Sequence, residues 1–207
     1  LFALSMLATL AVGLGAFATV FAVVQKVLLA PLPYERPGDL YVVWRDYGTI
    51  FDLTRGSVSG PDIVALRSAG GAIEDAVGLD VGAMTLAGAG AGAAPEQVPV
   101  FVTTPNLFAV IGARAALGRT FAADEVGPGR PATVVLGHDL WRRRFGGDPG
   151  VVGRDVLLDG QPYRVIGVLA RGARFQMPAG LGAPVSGDAY ITHVDDLATA
   201  EPGDGSY

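Results

Sequence analysis

The first twenty-four residues, LFALSMLATLAVGLGAFATVFAVV, carry no charge, and all 35 charged side chains of the protein lie at Lys26 or beyond. A helix over Leu1–Val24 is about 36 Å long against a hydrocarbon core of about 30 Å, so the stretch is able to span a bilayer. Gln25 and Lys26 mark the interface, and Val27, Leu28 and Leu29 extend the helix by a turn. Pro31, Pro33 and Pro37 then stop it, because proline removes a donor and restricts its predecessor. Leu32-Pro33-Tyr34 reads as a stiff elbow leaving the membrane, with Tyr34 at headgroup depth.

The faces of this helix differ. At about 100° per residue, Ala8, Ala11, Gly15, Ala18, Thr19 and Ala22 fall on one side, and Leu10, Leu14, Phe17, Phe21 and Leu28 on another. Small residues admit a neighbouring backbone, and such packing associates helices in lipid. Ala11, Gly15, Thr19 and Ala22 are therefore the expected helix-packing face. One alternative is a lone lipid anchor whose small residues reflect an Ala/Gly-rich composition. Another is a secretory signal peptide, for which Ala16-Phe17-Ala18 offers a small-x-small cleavage site. The apolar run continues to Val24 without a polar c-region or a visible basic n-region, which favours a retained anchor. The chain opens on Leu1 rather than Met, so upstream residues are expected, and flanking charge does not set the topology.

The remaining length, about 180 residues, suits one domain or two small lobes with ample core. Arginine outnumbers lysine 14 to 1 alongside 30 glycines, a bias read as base composition rather than chemistry. A net charge of −5 argues against a general nucleic-acid binder, which needs a basic face. Cysteine is absent, which excludes disulfides, thiolate metal sites and a cysteine nucleophile.

Past the elbow, Leu40–Trp44 reads as a strand, β-branched and aromatic after Pro37-Gly38-Asp39. Ser59-Gly60-Pro61-Asp62 opens a helix with Ile63, Leu66 and Ala69 at helical spacing, closed by Gly70-Gly71. A short helical piece is expected over Ala72–Ala76, a strand over Val77–Leu86, and a solvated hairpin tip over the AGAGAGAAP stretch from Ala87 to Pro95. The glycine spacing there fits no phosphate-binding loop. Gln97–Thr103 is the next strand. Leu107–Ile111 is a short helix ending at Gly112, Leu117–Phe121 a loop, and Ala122–Glu125 a helical turn. Ala132–Leu136 reads as a buried strand before a helix from His138 to Phe145. Arg154–Leu158 and Tyr163–Leu169 flank Asp159-Gly160, a type I′ hairpin signal because both turn residues need φ > 0. Ala189–Thr192 is the last strand, and the chain ends on EPGDGSY without a closing element, as expected of a truncated domain.

Chemistry-bearing motifs are sparse. Of the two histidines, His138 stands at a helix start where its ring could serve as a cap, and His193 lies beside Asp195 and Asp196. Neither has a second His or Cys at ligand spacing. Ser57, Ser59 and Ser68 have no histidine nearby in sequence, although a triad assembled from distant positions stays open. Arg142-Arg143-Arg144 is the one basic cluster. It reads as the solvent side of a helix whose Leu140, Trp141 and Phe145 face the core, near the C-terminal dipole end, with an anion site as the alternative. Asp124-Glu125 and Asp195-Asp196 lack the alternating oxygen ligands of a calcium loop.

Several strings, taken in order, resemble ABC-transporter permeases with a MacB-like periplasmic core domain, the FtsX-like permease family. They are Gly13-Leu14-Gly15-Ala16 and Val20–Val24 in the apolar helix, the exit Val27–Tyr34, and Ser59-Gly60-Pro61-Asp62. Pro105–Phe108 with Ile111-Gly112, Leu117–Phe121, Leu140–Pro149, Val152-Gly153-Arg154 and Leu158–Val168 follow. The resemblance runs from about Gly13 to Thr192 and implies an α+β extracytoplasmic domain of mixed and antiparallel strands with short helices, preceded by one transmembrane helix. Its implied layout is a transmembrane helix at 1–29, a proline-rich linker at 30–39 and the core domain at 40–207. The family's further transmembrane helices and FtsX-like region are not in this sequence, nor is a nucleotide-binding motif. No catalytic, cofactor or metal residue is expected in this chain, and ATP would act on a separate subunit or a missing region.

The implied partners are membrane lipid, other transmembrane helices of the permease, an ABC ATPase subunit, and a second permease copy or a periplasmic partner, but no nucleic acid. The implied place is the bacterial inner membrane with residues from about 30 onward outside the cytoplasm. The implied role is mechanical, passing ATP-driven motion to an exported substrate or partner protein. A membrane-anchored hydrolase built on serine, His138 and acidic residues is the alternative from another class, and a sensor or adhesion ectodomain a third.

Overall fold

The computed structural model describes residues 2–28, 34–47, 53–56, 58–87, 94–127, 129–175 and 187–192. The chain divides into two compact units, Leu1–Leu32 and Pro33–Tyr207. The first holds helix α1, Phe2–Leu28, which takes in the uncharged run from Phe2 and continues one turn past Val24. The sequence reading of an elbow at Leu32-Pro33 lies outside the described residues.

The second unit is mixed α+β. A two-stranded antiparallel sheet joins β1 (Arg45–Tyr47) to β2 (Leu53–Gly56), and helix α2 (Gly60–Ala69) follows. Among the described residues the main sheet then takes β3 (Leu79–Leu86), β4 (Glu96–Thr103), β5 (Ala115–Gly118), β6 (Thr133–Leu136), β7 (Asp155–Leu158), β8 (Gln161–Leu169) and β9 (Ala189–Thr192). Their order is β5-β8-β6-β9-β4-β3-β7, with β7 also pairing back to β8. Helix α3 (Leu107–Ile111) and helix α4 (His138–Phe145) complete it.

The sheet alternates its side chains between two apolar clusters, as a period of two requires. Val134 and Leu136 of β6, Ala189 and Ile191 of β9, and Val98 and Val100 of β4 join Leu140 of α4 in one cluster. Val135, Tyr190 and Phe101 of the same strands join Leu107, Phe108 and Ile111 of α3 in the other. β6 and β9 are therefore buried at every position, which explains why their sequences read as continuous apolar runs. The second cluster is largely aromatic. Phe101 stacks on Tyr190 at 5.6 Å between centroids, and Phe108 meets Tyr190 edge-on at 5.2 Å. The Tyr190 hydroxyl accepts the Phe175 amide at 3.0 Å, and burial pushes its ionisation well above the ordinary tyrosine range. Tyr34, read from sequence as a headgroup-level residue, stacks on Phe175 at 6.1 Å in this same cluster.

Local chemistry explains most boundaries. Gly112 and Gly146 end α3 and α4 in the left-handed region, where a side chain is disfavoured. Asp159 (φ 49°) and Gly160 (φ 79°) form the β7–β8 turn with both φ positive. The β3–β4 hairpin runs in unbroken register from Leu79↔Thr103 to Leu86↔Glu96, while its tip at 88–93 lies outside the described residues.

Four expectations are corrected. Leu40–Trp44 carries no ladder; pairing starts at Arg45 opposite Gly56. Strand propensity reflects fit to a half-buried pleat, and Tyr41, Val42 and Val43 stand 84%, 51% and 53% exposed. Ala72–Ala76 is not helical, because Asp75 spends its carboxylate on the Ala76 amide, Arg67 and the Asn106 amide, bonds that compete with a helix. Strand β3 begins at Leu79, two residues later than expected. Leu117 and Gly118, read as loop, belong to β5, which pairs with the far end of β8.

Gly118 and Gly167 are partners in that pairing, and a Cβ on Gly167 would overlap the Arg119 carbonyl. Gly167 also sits at a register shift between β6 and β8 that leaves Ile166 without a partner on β6. Gly167→Ala is expected to destabilise the domain by about 1–3 kcal/mol through forced separation of β5 from β8. Gly160→Val is expected to cost about 1 kcal/mol or more from backbone strain alone, since open space surrounds its Cβ. Denaturant midpoints of the full chain in detergent measure both, and an unchanged midpoint for Gly167→Ala would contradict the close approach of the two backbones.

Candidate functional site

Helix α1 stands out by its length and apolar composition. Its Phe2–Ala22 portion, 21 residues, is long and apolar enough to cross a membrane, and none of that span is buried. The polar side chains along it are satisfied within the helix. Ser5 Oγ donates to the Phe2 carbonyl at 2.8 Å, Thr9 Oγ1 to Ser5 at 2.9 Å, and Thr19 Oγ1 to Gly15 at 2.8 Å. A hydroxyl that bonds its own helix is tolerated in hydrocarbon, where an unpaired polar group is costly. Ala11, Gly15, Thr19 and Ala22 follow one another along this regular helix at spacings of four, four and three, so they share one side. Among the described residues, nothing beyond the helix's own neighbouring backbone lies within 4 Å of a Cβ built on Gly13 or Gly15.

Among the described residues, serine, histidine and carboxylate side chains are not gathered at one place. Ser59 Oγ donates to Asp62, and Ser68 Oγ to the Val64 carbonyl of its own helix. His138 meets Trp141 edge-on at 5.5 Å, and its Nδ1 lies 3.6 Å from Asp139. Its ring does not cap α4: the N-cap is Gly137, with no side-chain cap bond. Ser57, His193, Asp195 and Asp196 lie outside the described residues. Glu125 is engaged by Arg119 at 2.8 Å and by the Ala122 amide at 2.7 Å.

The arginine cluster needs a partial correction. Leu140 is buried, with Trp141 and Phe145 packed against the core cluster as expected, but two of the arginines are tied rather than simply solvated. Arg143 bridges Glu96 at 2.9 Å and Asp188 at 2.6 Å, and those hydrogen bonds, Asp188 first, raise its guanidinium above its ordinary value. Arg144 is mostly buried; it donates to the Ala94 carbonyl at 2.7 Å and faces Glu96 at 3.4 Å. Both side chains fasten α4 to the start of β4, and Arg143 also to the residue before β9. No spacing rule could have found this, because the carboxylates stand 47 and 45 residues away.

Sequence reasoning also missed a shallow apolar groove lined by Val43, Trp44, Val58, Ala65, Leu66 and Ala69. Arg45 and Asp62 also line it and form an ion pair, Arg45 Nη1 to Asp62 Oδ2 at 2.6 Å. Asp62 also accepts the Ser59 hydroxyl at 2.7 Å and the Ser59 amide at 3.4 Å, securing the start of α2. The Ser59 hydroxyl chiefly holds the Asp62 carboxyl below its ordinary value; burial opposes it, and the Arg45 charge adds to the lowering.

A folded-state value below the unfolded one, about 3.9, means that this group's stabilisation is present above that value and is lost as pH falls through the lower one. The difference in melting temperature between wild type and Asp62→Asn is therefore expected to be full near about pH 6 and to shrink below about pH 4. Thermal melts across that window measure it; a difference independent of pH would show that the carboxylate's charge does nothing here.

A family comparison matches residues 2–203 to the MacB-like periplasmic core domain. Among solved structures, the chain is similar to the periplasmic region of MacB from Actinobacillus actinomycetemcomitans, at 17% identity over 70% of this chain and 69% of that one, with a TM-score of 0.50. It is also similar to the extracellular domain of the noncanonic ABC-type transporter YknZ from Gram-positive bacteria, at 20% identity and a TM-score of 0.47, over 66% of this chain and 63% of that domain. The chain thus spans less than two thirds of the YknZ domain. No curated protein matches it. The MacB likeness agrees with the mixed α+β fold, and the family match runs through nearly the whole sequence: the chain belongs to the MacB-like periplasmic core domain family.

Proposed function

We propose that this chain is part of the membrane-spanning permease subunit of an ABC-type transporter, and that its extracytoplasmic domain passes ATP-driven conformational change to an exported substrate or partner protein. The observation that carries this reading is a family match to a periplasmic core domain in a chain that begins with a helix able to cross a membrane. In this reading residues 1–29 cross the inner membrane, 30–39 link, and 40–207 form the domain outside the cytoplasm. ATP is hydrolysed by another polypeptide or by a part of the protein beyond these residues. The other partners are lipid, further permease helices, and a second permease copy or a periplasmic protein. In this reading the domain's role is binding and force transmission rather than catalysis.

Within this proposal Ala11, Gly15, Thr19 and Ala22 are the face on which α1 packs against other transmembrane helices. Small residues allow backbones to approach, and the Thr19 to Gly15 bond keeps that side free of an unpaired hydroxyl. Gly15→Leu keeps the helix apolar, so insertion is expected to be normal while transport, or co-purification with the ATPase, falls about tenfold or more. Leu14→Ile on the other side is expected to have little effect. Equal activity for Gly15→Leu and wild type would reduce α1 to a tether. Terminal sequencing of membrane-extracted protein is expected to show no new end after Ala18, and a mature species starting at Thr19 would overturn the permease reading.

A further inference from the structure

Six strands of the main sheet form a circuit. β8 bonds β6, then β9, β4, β3 and β7 follow, and β7 returns to β8. Among the described residues every ladder in the circuit has three or more registered pairs except one. β3 and β7 share the single pair Leu86↔Leu158. Two backbone bonds flank it, the Ala87 amide to the Leu157 carbonyl at 2.9 Å and the Asp159 amide to the Thr85 carbonyl at 3.0 Å. The third bond comes from a side chain, since Asp159 Oδ1 accepts the Thr85 amide at 2.7 Å.

Asp159 thus has two separable duties. Its positive φ serves the β7–β8 turn, a duty that Asn or Gly performs as well. Accepting the Thr85 amide needs a side-chain oxygen, which Gly lacks. The strands on either side of the circuit also differ in what parting them would expose. β6 and β9 are buried on both faces, so separating them uncovers both apolar clusters. β3 carries exposed Gly82, Ala83 and Thr85, and parting it from β7 uncovers chiefly Leu86 and Leu158.

We propose that the β3–β7 seam, latched by the Asp159 side chain, is the line along which the strand circuit opens first, ahead of the circuit's other ladders. Local opening free energies range from near zero to the global value, and segments with few bonds and little burial lie at the low end. The inference stands on the circuit's own ladders and holds whichever way the transport reading falls.

Residue-resolved hydrogen–deuterium exchange on the full chain in detergent micelles tests it. In wild type the amides of Thr85, Ala87 and Asp159 are expected to exchange roughly tenfold or more faster than those in the β6 and β9 ladders. Asp159→Gly keeps the turn and removes the latch, so Thr85 and Ala87 are expected to exchange about fivefold faster again, with the β7–β8 ladder unchanged. Asp159→Asn retains an acceptor and is expected to stay within about twofold of wild type at the seam. Seam amides that exchange in step with β6 and β9 would overturn the proposal. So would an Asp159→Gly effect that is equal in the β7–β8 ladder, which would leave Asp159 a turn residue only.

Discussion

Val134, Val135 and Leu136 are buried on both sides of β6, and Ala189, Tyr190 and Ile191 on both sides of β9, so these two strands have to be covered twice. Much of the remaining domain is arranged to do this. One face takes α4 through Leu140, with the β7 and β8 residues Val156, Leu158, Tyr163 and Val165. The opposite face takes α3 and a ladder of aromatic rings from Tyr34 through Phe175 and Phe101 to Tyr190 and Phe108. A large buried ring adds a geometric preference to its apolar area, and the paired edge-on and offset contacts here specify how α3 sits on the sheet.

Charge does a different job from the one that its clustering suggests. In sequence, three consecutive arginines read as the solvent side of a helix, with an anion site as the alternative; in the fold, two of them meet Glu96, Asp188 and a backbone carbonyl, and join a helix to the entrances of two strands. Partly exposed pairs of this kind contribute little each to stability, but they are directional and they set where α4 lies along the sheet. Arg45 and Asp62 do the same between β1 and α2, beside an apolar groove at the start of the domain. A domain proposed to transmit motion needs such fastenings at the junctions of elements more than it needs a reactive cleft.

Glycines mark where the backbone itself is constrained. Gly118 and Gly167 bring β5 and β8 closer than a Cβ permits, at a place where the β6 and β8 registers also slip by one residue. A bulge beside a close approach bends a sheet, which helps the strand circuit to return on itself through β7.

The uncharged run, its length and the prolines after it determined α1 by themselves, because a helix able to cross hydrocarbon is specified by consecutive residues alone. The same locality made α2, α3, α4, the Asp159-Gly160 hairpin and the double-buried β6 and β9 legible, since caps, positive-φ turns and apolar periodicity act within a few residues. Leu40–Trp44 shows the limit: its residues suit a strand, yet a strand exists only where another backbone offers its hydrogen bonds, and that partner begins opposite Arg45. β5 shows the converse, a Gly-containing stretch that becomes a strand because β8 lies beside it. The bridging of Arg143 to Glu96 and Asp188, the seam between β3 and β7, and the division of one sheet's side chains between two cores were decided only in three dimensions. Each depends on groups far apart in the chain, whose meeting is a property of the packed fold and not of any local pattern.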